Sequence, residues 1–343
     1  MKNNPFTLTF GQKPLEYIPR LDQTSTIIDT FDADRPTNHV FMISGVRGSG
    51  KTVMLSEISS YYDKKDDWIV LKISADTDLI EGALSELTRT SILKNVDFEL
   101  GISVFGTGGN FHKGVSQLKG DSALRNALEK IAKQNKRVLF VIDEIVNNEY
   151  VKLFSSYFQI YLTQNYPVYL IMAGLYDNIS NLQNERTLTF LYRAPKIFLE
   201  PLSIPAMTGR YQKVLEISKE EAMVMAKITN GYSFAFQILG FLKWENNKPI
   251  DELLDEFDYL LASYVYEKVW RELSEKDQQV VYMICQGMHK VSDLKEKLNM
   301  SPQLLNVYRK RLMERGIVDG SVRGILTLAL PRFDIYVNAY CEM

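Results

Sequence analysis

The sequence predicts an α/β fold in which a five-stranded parallel sheet is followed by an α-helical part and a small C-terminal domain. Between about residues 40 and 199, short apolar runs alternate with amphipathic segments, as buried parallel strands joined by helices do. Beyond this region helix-length segments dominate, and from Ser274 two helices and a turn precede a further helix and two short β-like runs. We therefore expect a core over 1–200, a helical part over 201–272 and a C-terminal domain over 273–343.

Five apolar runs of strand length carry the predicted sheet. They cover residues 39–44, 68–74, 138–143, 168–173 and 195–200. The helix-length segments between them cover residues 51–62, 80–93, 122–134 and 149–164. Each parallel pair of strands needs a crossover of about a dozen residues or more, and these segments are long enough to provide it.

One glycine-rich stretch interrupts the alternation. Residues 98–120 contain six of the 19 glycines of the chain. Their first part alternates apolar and polar positions as a strand does, and residues 106–110 are a turn signal. We predict an insert at about 97–120, a β-hairpin or mobile loop that either decorates the surface or contacts a partner or nucleic acid.

The composition excludes several classes of protein. Forty lysines and arginines against 42 aspartates and glutamates give a net charge of −2, so a surface for nucleic acid must be a local patch. Two cysteines and three histidines are too few for a disulfide framework or a Cys/His zinc cluster. Because no apolar run reaches the roughly 20 residues of a membrane span and no signal peptide opens the chain, we expect a soluble, cytoplasmic protein without a membrane partner.

A glycine-rich motif directly follows the first predicted strand. It reads Gly45-Val46-Arg47-Gly48-Ser49-Gly50-Lys51-Thr52 and matches Gly-x-x-x-x-Gly-Lys-Ser/Thr. Such glycines let successive backbone N–H groups point at a β-phosphate, and the next helix adds its positive N-terminal end. Lys51 is then placed to reach the β- and γ-phosphates, and the Thr52 hydroxyl to ligate Mg²⁺. The motif predicts a P-loop NTPase that binds ATP or ADP through residues 45–52.

Two carboxylates end the third predicted strand. Five apolar residues, 138–142, lead into Asp143 and Glu144. We assign Asp143 to hold Mg²⁺ through water and Glu144 to polarise the attacking water as general base, as a hydrolase requires. The alternative is that both acids cap the next helix, since acids favour helix N-termini.

The two motifs, the helical part and the C-terminal pattern together resemble the AAA+ ATPases, in particular the branch of archaeal-type ATPases, replication initiators and STAND signalling ATPases. The resemblance extends over about residues 5–337. It implies that 201–272 form a lid and 273–343 a winged-helix domain. It also implies a slow, partner-stimulated ATPase that uses Mg²⁺ and forms a nucleotide-dependent homo-oligomer.

The resemblance implies further site residues. In such proteins a segment before the first strand contacts adenine, which assigns Tyr17 and Ile18 to the base. An arginine finger from a neighbouring subunit comes from near the fifth strand, where Arg186 and Arg193 stand. The alternative for each arginine is a pairing with surface carboxylates.

The sequence departs from the family pattern at two sensing positions. The fourth strand does not end in the usual polar sensor, and Asp177 or Asn178 could replace it only if the chain turns back. Segment 230–237 resembles the Gly-x-Pro turn of the STAND branch with Ser233 at the place of proline, and it lacks the arginine of many lids.

The predicted recognition helix, residues 303–315, is basic. The cations of this helix and of the presumed wing are candidates for DNA binding: Arg309, Lys310, Arg311, Arg315 and Arg323. Such cations contact phosphates or enter a minor groove. The segment 272–343 has ten basic and nine acidic residues, so its field is weak, and winged helices also contact proteins.

We therefore predict an ATPase whose nucleotide state controls assembly on duplex DNA. The alternative is a STAND-like signalling or defence switch whose winged helix contacts protein. Both use the same catalytic residues and differ in whether the basic residues meet phosphates. A small-molecule kinase is disfavoured, because it needs an acceptor pocket and because Glu144 favours water as the acceptor.

Overall fold

The computed structural model describes residues 3–9, 11, 13–90 and 113–341. The chain divides into two compact units. The helical unit comprises Met1–Pro19, Gly45–Val53 and Leu199–Met343, and the sheet unit comprises Arg20–Ser44 and Met54–Phe198. The division into 1–200, 201–272 and 273–343 stays a prediction.

The sheet unit contains the predicted five-stranded parallel sheet. Its strands are β1 Val40–Ser44, β2 Trp68–Ser74, β3 Arg137–Asp143, β4 Val168–Gly174 and β5 Lys196–Phe198. Their order is β2-β3-β4-β1-β5, and every neighbouring pair is parallel. β1 and β4 lie inside the sheet and are buried along their whole length, which explains their continuous apolar sequence. The α/β fold class is confirmed.

Helices join these strands. They are α1 Leu21–Asp32, α2 Lys51–Tyr62, α3 Leu79–Arg89, α4 Lys113–Lys133, α5 Glu149–Thr163, α6 Tyr176–Gln183 and α7 Thr189–Tyr192, of which α2 begins in the helical unit. Phe140 of β3 contacts Phe154 and Phe158 of α5, with ring centroids 5.3 and 6.0 Å apart. This i, i+4 pair on α5 shows how an apolar helix stripe covers the sheet.

The predicted insert at 97–120 lies outside the described residues up to residue 112. Its last eight residues, 113–120, belong to α4. For these residues the prediction of a hairpin or loop was wrong. Gly114 and Gly120 reduce helix propensity by about 1 kcal/mol each relative to alanine, which does not exclude a helix.

The helical unit carries the remaining elements. Its helices are α8 Ile204–Leu215, α9 Lys219–Ile228, α10 Ser233–Asn246, α11 Leu254–Leu261, α12 Glu267–Arg271, α13 Glu275–Cys285, α14 Val291–Lys297, α15 Pro302–Glu314 and α16 Phe333–Tyr340. Strands β6 Val318–Asp319 and β7 Thr327–Leu328 form an antiparallel pair. Between α10 and α13 the chain forms a 3₁₀ turn, Ile250–Leu253, then α11, the π-helical segment Ala262–Tyr266 and α12.

The N-terminal segment is part of the core of the helical unit. The Phe6 ring packs against Tyr211 of α8 and Phe236 of α10, with centroids 6.0 and 5.6 Å away. It lies so close to Gly240 that a Cβ there would be 2.5 Å from the ring. This contact fixes the start of the chain on α10. None of the helices in the ranges described above is both long and apolar enough to cross a membrane.

Candidate nucleotide-binding site

The phosphate-binding motif forms a tight loop that runs into α2. Gly48 and Gly50 have φ of +69° and +95°, a region that side chains rarely adopt. The N–H of Ser49 donates to the carbonyl oxygen of Val46 at 3.2 Å, which closes the turn. Because α2 begins at Lys51, its first N–H groups and positive dipole end belong to this loop.

The Lys51 ammonium lies across the start of the loop. Its Nζ donates to the carbonyl oxygens of Gly45 and Val46, both at 2.9 Å. These acceptors are neutral, and hydrogen bonds to an ionised acceptor are about twice as strong. A phosphate oxyanion would therefore compete well for the ammonium, so the residues fit a bound polyphosphate.

The turn that opens α10 contacts the same loop. Tyr232 Oη donates to the carbonyl oxygen of Arg47 at 2.5 Å, and Ser233 Oγ donates to that of Ser49 at 3.0 Å. The Arg47 guanidinium pairs with Glu272, which follows α12, at 2.9 Å. Sequence reasoning singled out this turn for its missing proline and arginine, and the Tyr232 hydroxyl gave no signal.

The segment assigned to adenine is held by α8 and α10. The carbonyl oxygen of Glu16 accepts from Gln237 Nε2 at 2.7 Å, and the Glu16 carboxylate pairs with Arg210 at 2.9 Å. Tyr17 is half-buried, and Ile18 packs against the core of the helical unit. Helix α10 thus contacts the phosphate loop through its first residue and the adenine segment one turn later.

The carboxyl edge of the sheet carries the predicted acidic pair. Ser74 of β2 lies beside Asp143 of β3, and Ser44 of β1 lies beside Gly174 of β4. Asp143 is half-buried and Glu144 is exposed. In open α/β sheets, ligands bind outside this edge.

Asp143 and Glu144 do not cap the following helix. Helix α5 begins at Glu149, and its cap is Asn148, whose side chain accepts from the N–H of Val151 at 2.9 Å. The Asp143 carboxylate instead accepts from the N–H of Glu144 at 2.9 Å. The capping alternative is therefore wrong.

The turn after β3 explains why β4 ends without a polar sensor. Glu144 has φ of +49°, and the N–H of Ile145 donates to the carbonyl oxygen of Ala173 at 2.8 Å. A Cβ at Gly174 would lie 2.6 Å from Ile145 Cγ2. The close crossing leaves no space for a side chain at the end of β4. The substitutes proposed from sequence, Asp177 and Asn178, lie in the first turn of α6.

Arg186 and Arg193 both lie on the surface of the sheet unit, before and after the short helix α7. Within the described ranges neither guanidinium has an ion-pair partner, although the neighbouring Glu185 pairs with Lys152 at 2.7 Å. The alternative that they pair with surface carboxylates finds no support in these contacts.

The DNA-binding candidates do not form one exposed set. Arg311 pairs with the fully buried Asp277 at 2.6 Å, and Arg315 lies 3.9 Å from the same carboxylate. Lys310 is exposed, with 73% of its side chain accessible, and Arg323 is exposed in the turn between β6 and β7. Arg309 is half-buried. Sequence reasoning missed that the buried Asp277 takes its counter-charge from the helix assigned to DNA.

Two solved structures are similar to this chain over nearly its whole length. The Walker-type ATPase PABY2304 of Pyrococcus abyssi has a TM-score of 0.64 and 12% identity, over 93% of this chain and 95% of that one. The Orc2 protein of Aeropyrum pernix in its ADPNP–ADP complexes also has a TM-score of 0.64 and 12% identity, over 96% of each chain. The chain therefore shares its fold with these two proteins.

Two further comparisons concern the sequence. A domain of unknown function, DUF8462, matches residues 263–337, which run from the π-helical segment into α16. No curated protein matches the chain. The fold expected from the motifs is confirmed by the two solved structures, and the roles of individual residues depend on the geometry above.

Proposed function

We propose that this protein binds ATP and hydrolyses it with Mg²⁺, slowly and under the control of a partner, and that its nucleotide state controls assembly on duplex DNA. One observation carries the proposal. The loop 45–52 combines two glycines in left-handed geometry with a lysine whose ammonium donates to carbonyl oxygens of the loop itself, within an AAA+ fold. This combination is suited to a polyphosphate.

The Mg²⁺ ion is assigned to Thr52, Asp143 and the phosphates. In the described residues no group of three or more histidine, cysteine, aspartate or glutamate side chains could hold a metal. Magnesium in ATPases is commonly held by one or two carboxylates, water and substrate phosphates, so this donor set fits the ion. When bound, it would neutralise charge on the phosphate oxygens. Tyr17 and Ile18 are assigned to the adenine.

Glu144 is assigned as the general base. Glu144 is exposed, so solvent water can reach its carboxylate directly. Its left-handed backbone, φ +49°, turns the chain sharply just after Asp143. The base would take a proton from water as the oxygen attacks the γ-phosphate, and ADP and phosphate would leave.

An arginine finger predicts a rescue between subunits. Arg186→Ala and Arg193→Ala would each leave the phosphate loop intact, so mixing the finger variant with Lys51→Ala should restore hydrolysis. In the mixture, one protein supplies the loop and the other the guanidinium. A finger is worth about 10³- to 10⁵-fold in rate, so restored phosphate release is readily measured. If neither mixture exceeds the sum of its components at any ratio, neither arginine acts across an interface.

DNA binding predicts stimulation of hydrolysis that weakens with salt. Lys310→Gln with Arg323→Gln removes the exposed cations and spares Arg311, which stabilises Asp277. Each lost phosphate contact should lower the slope of log affinity against log salt by about one. The control is Lys213→Gln with Lys227→Gln, which removes two exposed lysines from α8 and α9. Stimulation that survives in the first variant, or that is lost equally in both, contradicts DNA contact through these residues.

The second candidate function is a STAND-like signalling or defence switch in which the C-terminal domain contacts protein. The exposed surface of α15 favours it, because Leu304 and Val307 are 42% and 57% exposed at i, i+3 spacing. Apolar side chains on an exposed helix face are suited to a protein partner. Hydrolysis that is indifferent to DNA, with no DNA binding in the ATP state, would favour this function.

A further inference from the structure

Two hydroxyl groups from one helix turn contact two alternate carbonyls of the phosphate loop. Tyr232 Oη donates to the carbonyl oxygen of Arg47, and Ser233 Oγ donates to that of Ser49. Both contacts lie within the helical unit. Because they contact the backbone of the loop, they affect its shape independently of the side chains of the loop.

Each contacted carbonyl shares a planar peptide group with the next N–H, so the two contacts also set the direction of these N–H groups. No cis peptide occurs in the described residues, and a trans peptide places its C=O and N–H on opposite sides. Fixing the carbonyl of Arg47 therefore turns the N–H of Gly48 away from Tyr232. Fixing the carbonyl of Ser49 likewise turns the N–H of Gly50 away from Ser233. These N–H groups then lie on the side of the loop that a phosphate would occupy.

Gly48 makes the approach of Tyr232 feasible. A Cβ at position 48 would collide with the Tyr232 hydroxyl and would lie 2.8 Å from Cβ of Phe234. A Cβ at Gly50 would lie 3.7 Å from Ser233 Oγ, an ordinary contact. Gly48 is thus required both for its backbone angle and for the space that the tyrosine fills.

The turn that presents the two hydroxyls is itself fixed. The N–H of Tyr232 donates to the carbonyl oxygen of Thr229 at 2.8 Å, and the N–H of Leu202 donates to that of Gly231 at 2.7 Å. A Cβ at Gly231 would lie 2.7 Å from the carbonyl oxygen of Leu202. Tyr232 is only 5% exposed, and this burial raises the pKa of its hydroxyl far above the ordinary value, so the group remains a neutral donor.

We propose that Tyr232 and Ser233 are positioning residues that hold the phosphate loop in its anion-accepting shape before nucleotide binds. The inference rests on the proposed nucleotide-binding function and deepens it. Because the loop is ordered in advance, little of the binding free energy is spent on ordering it. The hydroxyls contact backbone carbonyl oxygens of the loop, so they act on affinity rather than on the chemical step.

The test is ADP and ATP binding by calorimetry on the full chain. Tyr232→Phe removes only the hydroxyl, and Ser233→Ala removes the other. Each variant should bind ADP about five- to tenfold more weakly, and the two effects should multiply. Ser233→Thr keeps the hydroxyl and should restore affinity. At saturating ATP the hydrolysis rate should change less than twofold, so that KM rises while kcat stays.

Tyr211→Phe is the matched control. The Tyr211 hydroxyl is fully buried in the same unit and donates to the carbonyl oxygen of Phe236 at 2.7 Å, away from the phosphate loop. This variant loses the same type of hydrogen bond and should melt at a lower temperature than wild type. Its ADP affinity should remain within twofold of wild type.

The outcomes separate this inference from the proposed function. If the wild-type protein binds neither ADP nor ATP, the proposed function fails and this inference with it. If wild type binds and Tyr232→Phe and Ser233→Ala bind equally well, only the inference fails. Tighter binding by Tyr232→Phe would mean that the turn restrains the loop and would overturn it too. An equal loss in Tyr211→Phe would assign the effect to general destabilisation and also overturn it.

Discussion

Lys51→Ala is expected to weaken ATP and ADP binding by about 100-fold or more, because two charge-assisted hydrogen bonds to phosphate oxygens are each worth about 1.5–3 kcal/mol. In the structure the ammonium donates to the carbonyl oxygens of Gly45 and Val46. The alanine variant loses these bonds as well, so the loop would be less ordered. Calorimetric titration with each nucleotide measures the effect.

Lys213→Ala is the matched control, because Lys213 is an exposed lysine on α8. It should bind nucleotide as wild type does. Far-ultraviolet circular dichroism of the Lys51 variant should match wild type, since Lys51 is the first residue of α2 and alanine favours a helix. A dissociation constant within threefold of wild type in a folded Lys51→Ala protein would exclude phosphate recognition by this lysine.

Glu144→Gln is expected to preserve nucleotide binding and to lower hydrolysis by about 10²- to 10⁴-fold, the usual contribution of a general base. The amide has the shape of the carboxylate but cannot accept the proton of water. Because Glu144 is exposed, the change should not alter the melting temperature. Single-turnover phosphate release with bound ATP isolates the chemical step from product release.

Glu149→Gln provides the comparison for this variant. Glu149 is an exposed carboxylate five positions further on, in the first turn of α5. Its neutralisation should leave turnover within twofold of wild type. Hydrolysis at the wild-type rate by Glu144→Gln would place the base elsewhere, and an equal fall in both variants would indicate a general electrostatic effect.

The sheet and the loop could be predicted from sequence because each depends on local residues. A strand buried on both faces must be apolar throughout, and β1 and β4 are. The loop requires glycines at fixed places, and Gly48 and Gly50 occupy them with positive φ. Such constraints act within a few positions of the chain.

The helices that sequence reasoning missed depend on distant contacts. α16 is rich in aromatic and β-branched residues, a composition that favours strands. It is helical because Phe333, Tyr336 and Val337 are buried on one face, at i, i+3 and i+4 spacing. The burial is supplied by other parts of the helical unit, and no local pattern reveals it.

The candidate site, too, depends on contacts between residues that are far apart in the sequence. Arg311 looks like a DNA contact in the sequence, but its partner Asp277 is 34 positions away and buried. The glycine at the end of β4 looks like a lost sensor, but it is required by the crossing of Ile145. Tyr232 carries no motif, and only the folded chain brings it to the loop.

The helical unit is assembled from three separate stretches of the chain, and this has a consequence for folding. The bonds from Tyr232 and Ser233 to the loop span 185 and 184 positions, and the bond from Gln237 to Glu16 spans 221. Long-range contacts form slowly, because a large loop of chain must close first. During synthesis the phosphate loop emerges long before α10, so its scaffold is completed only when most of the chain has left the ribosome. An N-terminal fragment that ends between Thr52 and Tyr232 contains the whole motif 45–52 but lacks the two hydroxyls that contact it.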